Sequence, residues 1–267
     1  TEQIESSDEK ASAIEDHPIV VAQLKSAMDK NTEKDSRISA ASASQHLEIA
    51  SEVIDHLAAG FDTSGITLTY LAHELSQRPR LQEALRNELL TLEPPIISSS
   101  GAKLPSAKQL DALPLLQAIV QETLRLHAAI PGPQPRQTPP GGCRIGPNSE
   151  YDLPGGMRIS AQAWSLHRNP NVFPEPEQWK PERWLNEKGE YEVTGEMGRW
   201  WWAFGSGGRM CVGSNLAMYQ MKFIVAAIWT NFVMSITDDE GIEQADIYTA
   251  PPKSNRLIVK LERVGRE

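Results

Sequence analysis

Apolar residues recur at helical spacing through much of the chain, and the longest run predicts its largest element. Leu47, Ala50, Ile54, Leu57, Phe61, Leu68, Leu71 and Leu75 fall close to a 3.6-residue period. Ser42 with Gln45 predicts a capping box at its start, and Pro79 stops it. At about 1.5 Å per residue this helix is roughly 50 Å long. Ile19, Val20, Leu24, Ala27 and Met28 predict a shorter helix over His17–Lys30. A second amphipathic helix is expected over Leu81–Leu92, ended by Pro94-Pro95. Pro114 suits the first turn of another, running to about Ala129 before Pro131 forbids continuation. Near the C-terminus, Val212, Leu216, Tyr219, Phe223, Ile224 and Ala227 predict one apolar helix face.

Strand signals are few. Met157–Ala161 alternates apolar and polar residues, and Leu257–Leu261 closes the chain with a second strand. The Pro- and Gly-crowded stretch 131–148 reads as irregular. Residues 169–199 read as an ordered excursion tied down by its aromatics. Residues 1–16, acidic and serine-rich, read as a solvated arm, 31–44 as a linker and 98–107 as a loop. No internal repeat or clear domain boundary is visible. The fold class is mainly α with a small β component.

Composition narrows the options. The 267 residues carry a formal net charge of −9, which argues against nucleic acid as the main partner. Two cysteines make no disulfide framework, so a reducing, intracellular setting is the default. The apolar stretch Phe223–Trp229 is too short to span a membrane, and no signal peptide is visible. The chain opens Thr1-Glu2-Gln3, which suggests a fragment or a processed product.

The most specific chemistry lies in Phe204-Gly205-Ser206-Gly207-Gly208-Arg209-Met210-Cys211-Val212-Gly213. It places a thiol at the end of a glycine-rich loop and at the mouth of an apolar helix, where unpaired N–H groups favour a thiolate. A soft thiolate suits iron, and a single open-faced cysteine suits a haem better than a four-cysteine cluster. The bland alternative is a tight turn with an inert buried cysteine. Other glycine-loop chemistries fail. Met210 occupies the third glycine of a dinucleotide loop, Ser214 the lysine of a phosphate loop, and Phe204 the first glycine of a hydrolase elbow.

Three further groupings stand out. Ala59-Gly60-Phe61-Asp62-Thr63-Ser64 puts an acid and two hydroxyls mid-helix, where a local opening would admit a small ligand and let Asp62 relay protons. A polar patch on a solvated face is an equally good reading of those residues alone. Glu122 and Arg125 share a helix face, a pairing that usually means only a surface salt bridge. Arg136 follows in a proline-rich loop, and Leu166-His167-Arg168-Asn169-Pro170 reads as structural. Zinc is disfavoured because Gln77 stands where H-E-x-x-H needs its second histidine. Cys143 reads as a surface loop thiol.

Together these residues resemble the cytochrome P-450 family of haem-thiolate monooxygenases. The cysteine loop is similar to F-x-x-G-x-R-x-C-x-G, and the Asp62 string to [A/G]-G-x-[D/E]-T-[T/S]. Glu122-Thr123-Leu124-Arg125 resembles E-x-x-R, and Pro181-Glu182-Arg183-Trp184 the element that closes it. The resemblance implies the cytochrome P-450 fold, of the eukaryotic microsomal type, fungal members among them. It covers residues 45 to the end, with 1–44 a helix and loop leading in. It implies a C-terminal portion whose N-terminal half and membrane anchor lie upstream. The resemblance also places the family's W-x-x-x-R element, for the second propionate, in that upstream half.

The same resemblance implies haem b with Cys211 as iron ligand, O2 as co-substrate, and electrons from NADPH through a reductase. Arg209 and Arg136 would pair with propionates, and Phe204 would pack beside the thiolate. Ala59, Gly60, Gly205, Gly207, Gly213 and Ala217 would approach the cofactor. Asp62 and Thr63 would manage protons, and Glu122, Arg125 and Arg183 would form a buried structural network. A hydrophobic substrate would meet Val53, Leu57 and Ala58 and residues 128–131. Arg168, Lys180, Arg183 and Lys222 would offer a basic face to a redox partner. Full-length relatives sit on the endoplasmic reticulum membrane. A non-catalytic chain with weak haem binding, or a haem-thiolate isomerase or dehydratase, are the rival readings.

Overall fold

The computed structural model describes residues 19–34, 42–97 and 104–265. The expected arm at 1–16, residues 35–41 of the expected linker and 98–103 of the expected loop lie outside them, while 31–34 and 42–44 of that linker are helical instead. The chain divides into two compact units, 1–62 and 63–267. In the first, α1 (Ile19–Lys34) precedes the start of α2 (Ser42–Ser76), and Gln45 Nε2 donates to Asp29 Oδ1 at 2.8 Å. The predicted long helix is thus present with the predicted start, though the Ser42 side chain is not among those described. Leu57 and Phe61 on it are exposed.

The second unit holds the core. The rest of α2, α3 (Pro79–Leu89), α4 (Ala107–Asp111), α5 (Pro114–Leu126) and α8 (Ser214–Asn231) bury Leu71, Leu75, Leu85, Leu89, Leu116 and Ile119 completely. Pro79 ends one helix and opens the next, because a proline at the first helical position has no N–H to leave unpaired. Leu113, the N-cap of α5, has no side-chain cap to offer. The orphaned N–H groups of Leu115 and Leu116 instead donate to Glu88 of α3, at 2.7 and 2.8 Å. Gln82 satisfies its whole amide inside the core: it donates to Leu75 O and Met234 O and accepts from Trp229 Nε1 and Met234 N.

Among the described residues, three antiparallel pairs form the β component: β1 (Pro133–Gln137) with β4 (Arg158–Gln162), β2 (Cys143–Ile145) with β3 (Tyr151–Leu153), and β5 (Phe232–Asp238) with β6 (Ile258–Arg263). The stretch expected to be irregular therefore contains β1 and β2, and Cys143 sits in a strand opposite Leu153 rather than in a loop. Prolines hid β1. Thr138 N donates to Met157 O in the register that pairs Gln137 with Arg158, so Pro133 and Pro135 fall at positions that owe no hydrogen bond to β4.

The predicted face of α8 is corrected. Met221, Val225, Ala226 and Trp229 are buried, whereas Leu216, Tyr219 and Ile224 are exposed. The helix is apolar nearly all round, so periodicity alone could not select the side that meets the core. Among the described residues no helix is long and apolar enough to cross a membrane.

Candidate functional site

The Glu122 carboxylate is fully buried and receives five donors. Arg125 on the next turn of α5 gives Nε to Oε2 at 2.8 Å and Nη2 to Oε1 at 2.9 Å. Arg183 Nε, from a 3-10 turn (Pro181–Trp184), reaches Oε1 at 3.0 Å. The Lys180 backbone N–H and the Trp184 indole N–H complete the set at 2.8 and 2.9 Å. Arg125 spends its remaining N–H groups on the carbonyls of His167, Pro176 and Gln178. The structure thus gathers Glu122, Arg125 and Arg183, and the pair is a buried one rather than a surface bridge. A buried charge set is tolerable only when saturated in this way. Trp184 was not foreseen as a partner; a hydrogen-bonding indole directly after Arg183 was the available signal.

The cysteine loop follows helix α7 (Gly195–Trp200) and a Trp201–Phe204 edge-to-face contact, with ring centroids 5.7 Å apart. Phe204 is anchored against the main core. Its carbonyl accepts the Cys211 N–H at 2.8 Å, which closes the loop. Gly205 and Gly207 both have positive φ, +72° and +74°. A Cβ on Gly205 would also come within 2.8 Å of Gln134 Oε1, the movable end of a side chain, so it is the torsion that calls for glycine there. Arg136, from β1, donates through Nη2 to Ser206 O at 3.0 Å. The structure therefore brings Phe204, Gly205, Arg136 and Cys211 to one loop.

Cys211 itself is exposed, and Val212 beside it is 91% exposed. The loop gives way to α8 at Gly213, with Ala217 one turn in. Nothing lies within 4 Å of a Cβ built at Gly207 or Gly208. Arg209 is exposed with no ion-pair partner among the described residues. An open soft donor, flanked by apolar side chains, glycines and two arginines, fits a large planar apolar group with a metal centre and carboxylate tails. The residues present therefore fit a haem. Cys211 would hold its iron, and Arg209 and Arg136 would face its carboxylates, since a guanidinium carries five N–H donors and Arg136 has committed only two.

The acid–alcohol stretch differs from its expectation in one respect. The α-helix continues unbroken through Ala59–Ser64, with no local opening. Hydroxyl back-bonding does occur, one turn on: Thr67 Oγ1 to Thr63 O at 3.1 Å and Thr69 Oγ1 to Gly65 O at 2.9 Å. Asp62 is exposed and Thr63 partly buried, and Gly60 has open space around its Cα. Of the expected substrate-facing residues, Leu57 is exposed, while Ala129 packs with Ile66 and Tyr70.

The expected basic face is also corrected. Arg168 pairs with Glu177, Lys180 with Glu175, Arg183 with Glu122 and Lys222 with Asp111. Each cation is neutralised within its own neighbourhood, and Lys222 is buried. Only the Arg183–Glu122 pair was among the expectations.

His167 was expected to be structural, and its geometry is more particular. Its ring is buried between the Arg125 carbonyl and the Trp202 backbone N–H, each 2.7 Å away. Burial first, then the neighbouring Arg125 and Arg168 charges, pull its pKa down to about 3.

The sequence profile described as Cytochrome P450 matches residues 4–259. A cytochrome P450 monooxygenase of Aspergillus terreus, tazI, is 32% identical over 218 residues, covering 79% of this chain and 41% of the relative. The human mitochondrial 25-hydroxyvitamin D-1 alpha hydroxylase is 33% identical over 184 residues, covering 69% of this chain and 34% of that protein. A crystal structure of a cytochrome P450, CYP102L1, superposes with a TM-score of 0.64 at 22% identity, covering 80% of this chain and 46% of the other. That likeness extends to the fold. The chain spans less than half the length of these relatives. With a profile match over nearly its whole length, joined to a buried Glu-Arg-Arg network and a closed cysteine loop, the chain belongs to the cytochrome P450 family.

Proposed function

We propose that this chain carries the haem-binding and oxygen-handling residues of a haem-thiolate monooxygenase. The reaction places one atom of O2 into a hydrophobic organic substrate and releases the other as water. Two electrons come from NADPH through a reductase, and two protons from solvent. A setting on the endoplasmic reticulum belongs to the same reading. The observation that carries it is the cysteine loop, which is closed by the Cys211–Phe204 backbone bond and leaves the thiol exposed.

Haem, when bound, supplies the redox chemistry with dioxygen, and a thiolate ligand favours O–O cleavage. The chain's own residues divide the remaining work. Cys211 gives the thiolate, and Arg209 and Arg136 offset negative charge at the carboxylates. Asp62 accepts and releases protons at its carboxylate oxygens, and the Thr63 hydroxyl orients a hydrogen bond. Glu122, Arg125 and Arg183 hold the scaffold.

The test is the carbon monoxide difference spectrum of the reduced, haem-loaded protein. A thiolate-type band that Cys211→Ser abolishes is expected. The same band in Cys211→Ser would sink the assignment. A second reading, a non-catalytic chain with weak haem binding, draws on the exposure of Cys211 and Val212. It predicts no band in the unmodified protein.

A further inference from the structure

His167 ends helix α6 (Ala163–His167), and its buried ring touches two segments remote in sequence. One partner, the Arg125 carbonyl, can only accept a hydrogen bond; the other, the Trp202 backbone N–H, can only donate. These partners settle the ring: Nδ1 carries the proton and Nε2 offers its lone pair. A neutral imidazole is the side chain that presents one donor and one acceptor on opposite edges. The edge of the ring also rests on Phe173, with centroids 6.4 Å apart.

Each end of this link is itself tied down. Arg125 gives Glu122 two of its five donors. Trp202 leads into the cysteine loop: its carbonyl accepts from Gly205 N–H at 2.9 Å, and the Phe204 carbonyl accepts from Cys211 N–H at 2.8 Å. A continuous run of backbone restraints therefore leads from His167 to the thiol-bearing residue.

We propose that His167 is a positioning residue for Cys211, coupling the Arg125 backbone to Trp202 and so holding the cysteine loop in register for ligation. This rests on reading Cys211 as the haem ligand.

Two variants separate the two edges. His167→Gln extends an amide to the Nε2 position and can keep the acceptor for Trp202. His167→Asn ends near Nδ1, keeping a donor for Arg125 and losing Trp202. In the haem-free full chain, hydrogen exchange at the Trp202 amide should be about tenfold faster in His167→Asn than in His167→Gln, as expected for one lost hydrogen bond. Alkylation of the Cys211 thiol by iodoacetamide, with Cys143 as internal reference, should quicken in the same order. After haem loading, the thiolate-type fraction of the carbon monoxide complex should be higher in His167→Gln. Equal behaviour of the two variants in exchange and alkylation overturns the proposal.

If neither variant folds, the unmodified protein still decides. Its Trp202 amide should exchange about tenfold or more slowly than that of Ala203, whose N–H has no acceptor among the described residues. Equal rates overturn the proposal. A Cys211→Ser variant that keeps the thiolate-type band would sink the ligand reading and leave the exchange result standing.

Discussion

Two regions of the molecule treat their polar atoms in opposite ways. At Glu122 every donor and acceptor is spoken for: five donors meet one buried carboxylate, and Arg125 gives its other N–H groups to three carbonyls. At Cys211 only the backbone is committed, and the thiol stands open. Saturation makes the first region rigid and chemically silent. The second keeps its reactive atom free because its backbone, not its side chain, carries the restraint.

This contrast can be broken most forcefully at Glu122. Glu122→Ala would leave Arg125 buried without a counter-charge, and we expect a loss of about 3–5 kcal/mol by urea unfolding. A near-native midpoint would end the claim that the network holds the scaffold.

Next in size is a pH effect at His167. Its folded pKa is about 3, below the ordinary 6.5, so the native state excludes a proton that the unfolded chain accepts. Stability is therefore fully present above pH 6.5 and falls as pH drops toward 3, by up to about 1.4 kcal/mol per pH unit from this one group. Urea midpoints at pH 7, 6 and 5 test the slope, which should shrink in His167→Gln.

Trp184→Phe is gentler. It keeps the packing but removes one donor from Glu122 Oε2, for an expected cost of about 1–3 kcal/mol. Cys211→Ser should be the smallest, within about 0.5 kcal/mol of the parent in thermal unfolding, as an exposed side chain without a structural bond allows. A large drop there would mean that the thiol is structural, and the contrast would dissolve.

Much of this was legible in the chain because it is local. Glu122 and Arg125 are three residues apart, and the glycines around Cys211 announce the turn that exposes it. The long helix was readable from its repeat and from Pro79. What escaped notice depends on contacts between distant segments. The buried side of α8 is chosen by α3 and α5, which offer Met221 and Val225 a partner and leave Leu216 none. Strand β5 begins at the residue after α8 ends, and no Gly or Pro marks the change before its apolar Phe232 and Met234. The two partners of His167 lie 42 and 35 residues from it, beyond any spacing rule. Of the basic side chains misread as a docking face, Arg183 and Lys222 meet acids 61 and 111 residues away that only the fold brings near.

The alternating prolines of β1 have one more effect. Where a bare strand margin would offer N–H groups to a stray polypeptide, Pro133 and Pro135 offer none, and the outward carbonyl of Pro135 is already covered by Arg136 Nη1 at 3.0 Å. The β1 edge of the two-stranded sheet beside the cysteine loop therefore carries its own guard against being extended by a neighbour, and so against edge-to-edge association through that strand.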